Sequence, residues 1–351
     1  MTTTPDTPES PLDHPGSLIA ALPAVLGFVP EQSLVVVTTD HGQLGCVMRI
    51  DLSDDMDEPV AHLAEVAAAA EPHGAVAVIV DENGADCLQC GDAHRHLADT
   101  LAYELAAHGV ELLAVHVVDR VEVGGRWHCV DWCGRGGVIE DPLSTPMAAA
   151  AVLDGRRLYR RRAELVQTVE ADPARGDRLR AVIAGMLPGP RRRAQIRAEV
   201  ESAIAAADEL SQGIALSDAR MARLAVALGH PHVRDTLYAL AVGDNAGAAE
   251  ALWAELARAL PEPWRADALV LLAFSAYVRG DGPLAGVSLD AALRCSPEHR
   301  MAGMLDTALQ TGMRPEQIRE LALSGYRQAD RLGVRLPARR TFSGGTSRTE
   351  A

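Results

Sequence analysis

The stretch SLIAALPAVLGFVPEQSLVVV (residues 17–37) is apolar almost throughout, yet Pro23 and Pro30 interrupt it. A leader peptide, a membrane anchor and the first helix and strand of a core would all be apolar here. The flanks decide between them. The preceding MTTTPDTPESPLDHPG is acidic and rich in Pro and Thr, and lacks the cationic start of a secretory signal. No apolar run approaches the ~20 residues that cross a bilayer. The longest, ALVLLAFSAYV (268–278), suits a buried helix. The opening stretch is therefore read as core, with a cytoplasmic location and no membrane partner expected.

Within it, Ser17 is the expected helix N-cap, and Pro23 limits or kinks the helix. Gly27 suits the position just past a helix, and Pro30 stops it. SLVVVTT (33–39) is a continuous β-branched strand, buried on both faces. DHGQ (40–43) signals a turn, so LGCVMRIDL (44–52) completes a hairpin.

Working outward, DEPVAHLAEVAAAAEPHG (57–74) is a helix with acidic residues in its first turn. AVAVIV (75–80) is a third strand, 91–109 an amphipathic helix closing at Gly109, and VELLAVHVV (110–118) a fourth strand. RVEVGGRWHCV (120–130) holds a Gly124–Gly125 turn and a short fifth strand. Crossover helices between the second, third and fourth strands predict parallel neighbours in a mixed, mainly parallel α/β sheet with hairpin edges.

Near residue 150 the character changes to helical. Residues 145–155, 161–171 and 191–213 carry helical period with Gly or Pro stops. AVGDNAGAAEALWAELARALP (241–261) then overlays VRGDGPLAGVSLDAALRCSP (278–297), Gly243 on Gly280, an offset of 37 residues. That is close to the ~34-residue period of tetratricopeptide repeats. The expected layout is a disordered tail (1–16), an α/β domain (17–150), a helical connector (151–213), a tetratricopeptide-like all-α domain (214–335) and a second disordered tail (336–351).

The formal charge of −15, from 33 basic and 48 acidic side chains, opposes a general nucleic-acid binder, which needs cationic surface for counterion release. GRRLYRRR (155–162) and RRR (191–193) concentrate positive charge, and are read first as solvated helix faces. The six cysteines, without a secretory signal, are expected as reduced thiols.

Three carboxylates follow strand cores: Asp51 after MRI, Asp81 after VIV, Asp119 after HVV. If those strands run parallel, all three lie on one carboxyl edge, where open α/β sheets bind ligands. There they could hold Mg²⁺ or contact ribose hydroxyls, with arginines from 156–162, Arg156 and Arg160 among them, meeting phosphate. The plainer reading is that Asp is favoured at strand exits because it caps turns.

CLQC (87–90) and CVDWC (129–133) resemble two halves of a four-thiolate zinc site: Cys87, Cys90, Cys129 and Cys133. The fifth strand runs back along the sheet, which puts Cys133 well over ~10 Å from the end carrying Cys87. Zinc is therefore not favoured. Phosphate-binding loops are absent, GRGG (134–137) counts only as a turn, and no serine sits in a nucleophile elbow.

The ordered blocks P-x-x-LGF-x-P-x-x-SLVVV (Pro23 to Val37), RIDL (49–52), Trp127 with CVDWC (129–133), GRRLYRRRAEL (155–165), VRDTLYAL (233–240) and LLAFSAYVRGDGPLAGVSLDAAL (271–293) resemble the actinobacterial domain-of-unknown-function family 4192. The resemblance spans roughly residues 17–330. It implies a cytoplasmic protein with an α/β N-terminal half and a helical C-terminal half, and brings no substrate, cofactor or catalytic residue. The expected function is a non-enzymatic interaction or regulatory module. It would meet a partner protein through the helical repeats and use no cofactor, with room for a small ligand in the α/β half. The competing expectations are a Mg-dependent enzyme on a nucleotide or phosphorylated compound, and a zinc-stabilised module.

Overall fold

A computed structural model describes residues 14–340 apart from 41, 42, 70, 154, 155, 187, 188 and 190. The expected tails fall largely on 1–13 and 341–351, outside the described residues. The chain divides into two compact units, one of residues up to Leu165 with Ala308–Gly312, the other of the remainder. Among the described residues no helix is long and apolar enough to cross a membrane.

The first unit opens with α1 (Pro15–Leu26). It starts two residues before the expected cap. His14 takes the N-cap position without a side-chain capping bond, because Pro15, whose missing N–H costs nothing at a first turn, suits N1. Gly27 ends the helix as expected, left-handed at φ 74°, its N–H donating to the carbonyl of Pro23. Phe28 then lies buried beside Tyr159, with the Gly27 carbonyl accepting from the Tyr159 N–H at 2.7 Å.

The strands are β1 (Ser33–Asp40), β2 (Gln43–Asp51), β3 (Gly74–Val80), β4 (Glu111–Val118), β5 (Arg126–Cys129) and β6 (Gly136–Val138). They form one six-stranded mixed sheet in the order β2-β1-β3-β4-β5-β6. The expectation of a mainly parallel sheet is corrected here: only β3 and β4 pair in parallel, and the other four pairings are antiparallel. The relative directions expected for the first five strands nevertheless agree with the structure. β2, β3 and β4 all point the same way, but β1 inserts between β2 and β3 and runs against both. An interior strand needs apolar residues on both faces, and β1 and β3 are buried almost end to end. Gly136 and Gly137, read as part of a turn, form with Val138 the exposed edge strand β6.

Helices α2 (Asp57–Ala68) and α3 (Leu88–Ala107) pack together over one sheet face. Their core joins Val60, Leu63, Leu101 and Leu105 to Leu34, Val36, Ala77, Ile79, Val115 and Val117. The alternate residues Val35, Val37, Val76, Val78, His116 and Val118 are buried on the opposite face. At the edge of that face Gly16 of α1 comes close to Trp127 of β5. Helices α4 (Pro146–Leu153) and α5 (Arg162–Gln167) follow, and α4 packs on α1.

The second unit is helical: α6 (Pro173–Ala184), α7 (Arg193–Ser211), α8 (Asp218–Leu228), α9 (Pro231–Leu237), α10 (Ala246–Ala259), α11 (Arg265–Arg279), α12 (Gly282–Cys295), α13 (Arg300–Gln310, which straddles the division) and α14 (Pro315–Leu332). α11 is buried nearly all round and touches α8, α9, α10, α12 and α14. Its Asp267 accepts hydrogen bonds from Arg234 of α9 at 2.8 Å and His299 at 3.1 Å. The near-repeat segments become α10 and α12, both packed on α11. Their aligned glycines differ, Gly243 being extended (φ −86°) and Gly280 left-handed (φ 83°). Ala338–Arg340, read as part of the second tail, pair with Val242–Asp244.

Candidate functional site

Because β2, β3 and β4 share a direction, Asp51, Asp81 and Asp119 do emerge on one carboxyl edge. Asp81 and Asp119 follow neighbouring strands, and the Asp81 N–H donates to the Val118 carbonyl at 3.0 Å. Asp51 is separated from β3 by β1, a gap of two strand spacings, about 10 Å. The edge thus brings two of the three together.

Each carboxylate is engaged by the protein itself. Asp81 Oδ1 accepts from the backbone N–H groups of Asn83 (3.2 Å) and Gly84 (2.9 Å) and from Gln32 Nε2 (3.1 Å). Its Oδ2 meets His94 Nε2 at 3.0 Å, and both side chains are largely buried. Burial pushes the Asp81 carboxyl up, but the bonds from His94, Gln32 and Gly84 outweigh it and hold it below its ordinary value. A β-carbon at Gly84 would stand 1.9 Å from Asp81 Oδ2, so any other residue there has to displace the carboxylate. Gln32 reaches in from a left-handed backbone, φ 41°, a strained conformation for a non-glycine residue. His94 keeps Nδ1 buried with no hydrogen-bond partner.

Asp119 Oδ1 accepts from the N–H groups of Arg120 and Arg126, both at 2.7 Å, and Oδ2 from the Arg120 guanidinium at 3.0 Å. Asp51 pairs with Arg49, which also donates to Ser33 Oγ at 2.7 Å and to the Glu31 carbonyl at 3.3 Å. Asp51 is the most open of the three, its side chain 72% exposed. Asp81 and Asp119 are thereby strand-exit carboxylates that shape their loops, and Asp51 keeps solvent-facing oxygens.

The arginine-rich segment reaches this same edge at Arg161. Tyr159 pairs with residues 27–29, and Arg161 forms an ion pair with Glu31 at 3.4 Å. Arg160 is exposed, its backbone N–H donating to Glu164 at 3.1 Å. Arg156 is half-buried and its backbone N–H bonds the Ala151 carbonyl.

The four cysteines of the expected zinc set sit in two segments. Cys87 caps α3, its sulfur accepting from the Cys90 N–H at 3.4 Å. Cys129 ends β5, half-buried, and Cys133 is exposed in the loop that follows. The two segments approach each other through the side chains of His128 and Trp132. His128 Nε2 lies 2.9 Å from the Ala85 carbonyl and stacks on Trp132 at 4.0 Å. A β-carbon at Gly91 would stand 3.4 Å from Trp132 Nε1. The hairpin into β6 folds this loop back over the start of α3, which strand direction alone does not reveal. Among the described residues, however, no three His, Cys, Asp or Glu side chains converge on a point that could hold a metal ion.

A feature that sequence reasoning missed lies at the β5–β6 edge. A cleft of about 470 Å³ opens there, lined among others by Gly16, Ser17, Trp127, Arg135, Gly137 and Glu140. Its Trp127 indole is flanked by glycine backbone: β-carbons at Gly16 and Gly137 would stand 3.1 and 2.9 Å from Nε1. Behind it, His116 meets Trp127 edge to face at 5.2 Å. Burial, aided by the Arg135 charge, lowers His116 to about 4, so its ring is neutral at pH 7. The available signal was Trp127 followed by Gly134, Gly136 and Gly137, all three of which line the cleft.

The chain belongs to the family Domain of unknown function (DUF4192), whose model matches residues 15–316. No curated protein and no solved structure matches it.

Proposed function

We propose that this DUF4192 member is a non-enzymatic interaction or regulatory module whose α/β unit binds a small ligand in the cleft beside Trp127. The observation that carries the reading is the cleft itself. Its ~470 Å³ falls in the range of metabolite-sized sites. It offers an aromatic wall, the Arg135 cation, the Glu140 carboxylate and open glycine backbone, a set suited to a small polar ligand with one flat face. Asp51, Asp81 and Asp119 on the carboxyl edge, together with Arg156 and Arg160, stand as the alternative ligand contacts. The cleft is favoured because Asp81 and Asp119 already satisfy protein donors.

In the helical unit, the stacking of α10 and α12 on α11 supports a tetratricopeptide-like surface for a partner protein. The test is a thermal-shift screen of the full chain against nucleotides, amino acids and carboxylic acids, each with and without Mg²⁺. A ligand at one hundred times its Kd adds about 2.7 kcal/mol of stability. The reading expects a stabilising compound whose effect is lost in Arg135→Ala and kept in Asp51→Ala. A Mg²⁺-dependent stabilisation lost in Asp51→Ala and kept in Arg135→Ala overturns it in favour of the enzyme.

A further inference from the structure

The β3–α3–β4 crossover carries a Cys-x-x-Cys pair where its helix begins. β3 and β4 run parallel, so α3 starts at the carboxyl edge of the sheet, with Cys87 as its N-cap. The Cys87 carbonyl accepts a helical bond from the Gly91 N–H at 2.9 Å, and the Cys87 sulfur accepts from the Cys90 N–H at 3.4 Å. That second bond sets the Cys87 sulfur against the base of the Cys90 side chain. Residues three apart on a helix have α-carbons ~5 Å apart, inside the window of about 4.4–6.8 Å that a disulfide spans. Rotation of the Cys90 side chain about its Cα–Cβ bond then brings the sulfurs together.

Asp81 and His94 adjoin the pair. A β-carbon placed on Gly84 would stand 1.9 Å from Asp81 Oδ2 and 3.1 Å from Cys90 Cβ, so the carboxylate and the Cys90 side chain are neighbours. His94, one turn after Cys90 on α3, meets Asp81 Oδ2 through Nε2 at 3.0 Å. Its side chain is 7% exposed, and its buried Nδ1 has no hydrogen-bond partner. In the neutral ring the carboxylate, which only accepts, fixes the proton on Nε2 and leaves Nδ1 a lone pair. Helical side chains lean toward the N-terminus, which brings the His94 ring back over the turn of Cys90.

We propose that Cys87 and Cys90 form a reversible dithiol–disulfide couple that exchanges with low-molecular-weight disulfides, Cys87 attacking, Cys90 resolving and His94 accepting the Cys90 proton. The couple stands whether or not the cleft beside Trp127 binds a ligand. Position assigns the roles. Cys87 sits at the positive end of a 20-residue helix with an amide N–H on its sulfur, and both favour the thiolate. Cys90, a turn further in, adjoins the Asp81 carboxylate, whose charge disfavours a second thiolate there.

In the first step the Cys87 thiolate attacks one sulfur of the disulfide RSSR. The S–S bond breaks, a mixed disulfide forms on Cys87, and the RS⁻ released is protonated from solvent. In the second step Cys90 gives its proton to His94 Nδ1 and its thiolate attacks the Cys87 sulfur. The internal disulfide closes, and the second RS⁻ leaves and takes the proton back from His94. Two protein thiols lose two electrons in all, and RSSR is reduced to two RSH.

The test treats the full chain at neutral pH with glutathione disulfide, quenches with acid at timed intervals and maps the tryptic peptides. The peptide Ile50–Arg95 contains Cys87 and Cys90 and no other cysteine. It is expected to lose two hydrogen atoms, and reduced glutathione in excess should restore them. Cys90→Ser should hold glutathione on Cys87. Cys87→Ser, whose hydroxyl keeps the helix cap, should take up glutathione on Cys90 at least about tenfold more slowly. His94→Gln, which keeps a donor to Asp81 and loses the base, should form the mixed disulfide at the wild-type rate and close it at least about tenfold more slowly. The proposal is overturned if the wild-type peptide stops at the mixed disulfide, if Cys90 in Cys87→Ser reacts as fast as Cys87 in Cys90→Ser, or if His94→Gln closes the ring at the wild-type rate.

Discussion

At the scale of single residues, the most constrained group is Asp81. Its carboxylate joins β3 to the start of α3 and to the residue before β1, through His94, Gln32 and the Gly84 N–H. Hydrogen bonds to a charged group contribute about 1.5–3 kcal/mol each. Asp81→Asn, which keeps the shape and loses the charge, should therefore destabilise the unit by about 2–3 kcal/mol. The carboxyl is held below its unfolded value, so its contribution is complete above pH ~4 and disappears as pH falls through the lowered folded value. Acid unfolding of Asp81→Asn should accordingly show a shallower loss of stability below pH ~4 than the wild type. Gly84→Ala meets Asp81 Oδ2 head-on and should cost about 1–3 kcal/mol, measured by chemical denaturation. In the sequence, Asp81 was legible as a strand-exit residue. Its partners were not, because His94 lies 13 residues on and Gln32 is 49 residues back, and no local pattern links them.

At the scale of elements, the opening stretch SLIAALPAVLGFVPEQSLVVV behaves as its prolines and glycine suggest: a helix, a left-handed stop at Gly27, and a buried strand. Phe28 is 4% exposed and packs where the chain turns from α1 toward β1, with Arg49 lying 5.8 Å over its ring. Phe28→Ala should cost about 3–5 kcal/mol, read as an earlier unfolding transition in urea. The interior position of β1 was legible in its unbroken apolar run. The insertion of β1 between β2 and β3 was not, since strand composition is the same whichever neighbours it takes. β6 escaped notice because two of its three residues are glycine, which carry no strand signal.

The near-repeat helices differ in their caps. Asp281 accepts from the Leu284 N–H at 3.1 Å, whereas Asn245 makes no side-chain cap bond. Asp281→Ala should therefore cost about 1 kcal/mol or somewhat more, and Asn245→Ala close to nothing, in thermal unfolding.

At the scale of the whole molecule, the division into an α/β unit and a helical unit was visible in the change from alternating strands and helices to helices alone near residue 150. The family blocks were legible too, and the match over residues 15–316 places the chain in DUF4192. The cleft was not legible, because it is assembled from the start of α1, β5 and the β5–β6 loop, segments more than a hundred residues apart. Its walls depend on glycines, whose role is to leave room rather than to supply a recognisable group.

The central claim is that the small-ligand site is this cleft and not the carboxyl edge of the sheet. The most direct measurement is a crystal structure of the full chain grown with the compound that most raises its melting temperature. The account predicts ligand density against the Trp127 indole and within hydrogen-bond reach of Arg135. Density spanning Asp51, Asp81 and Asp119 instead, with a divalent ion among the carboxylates, would contradict it.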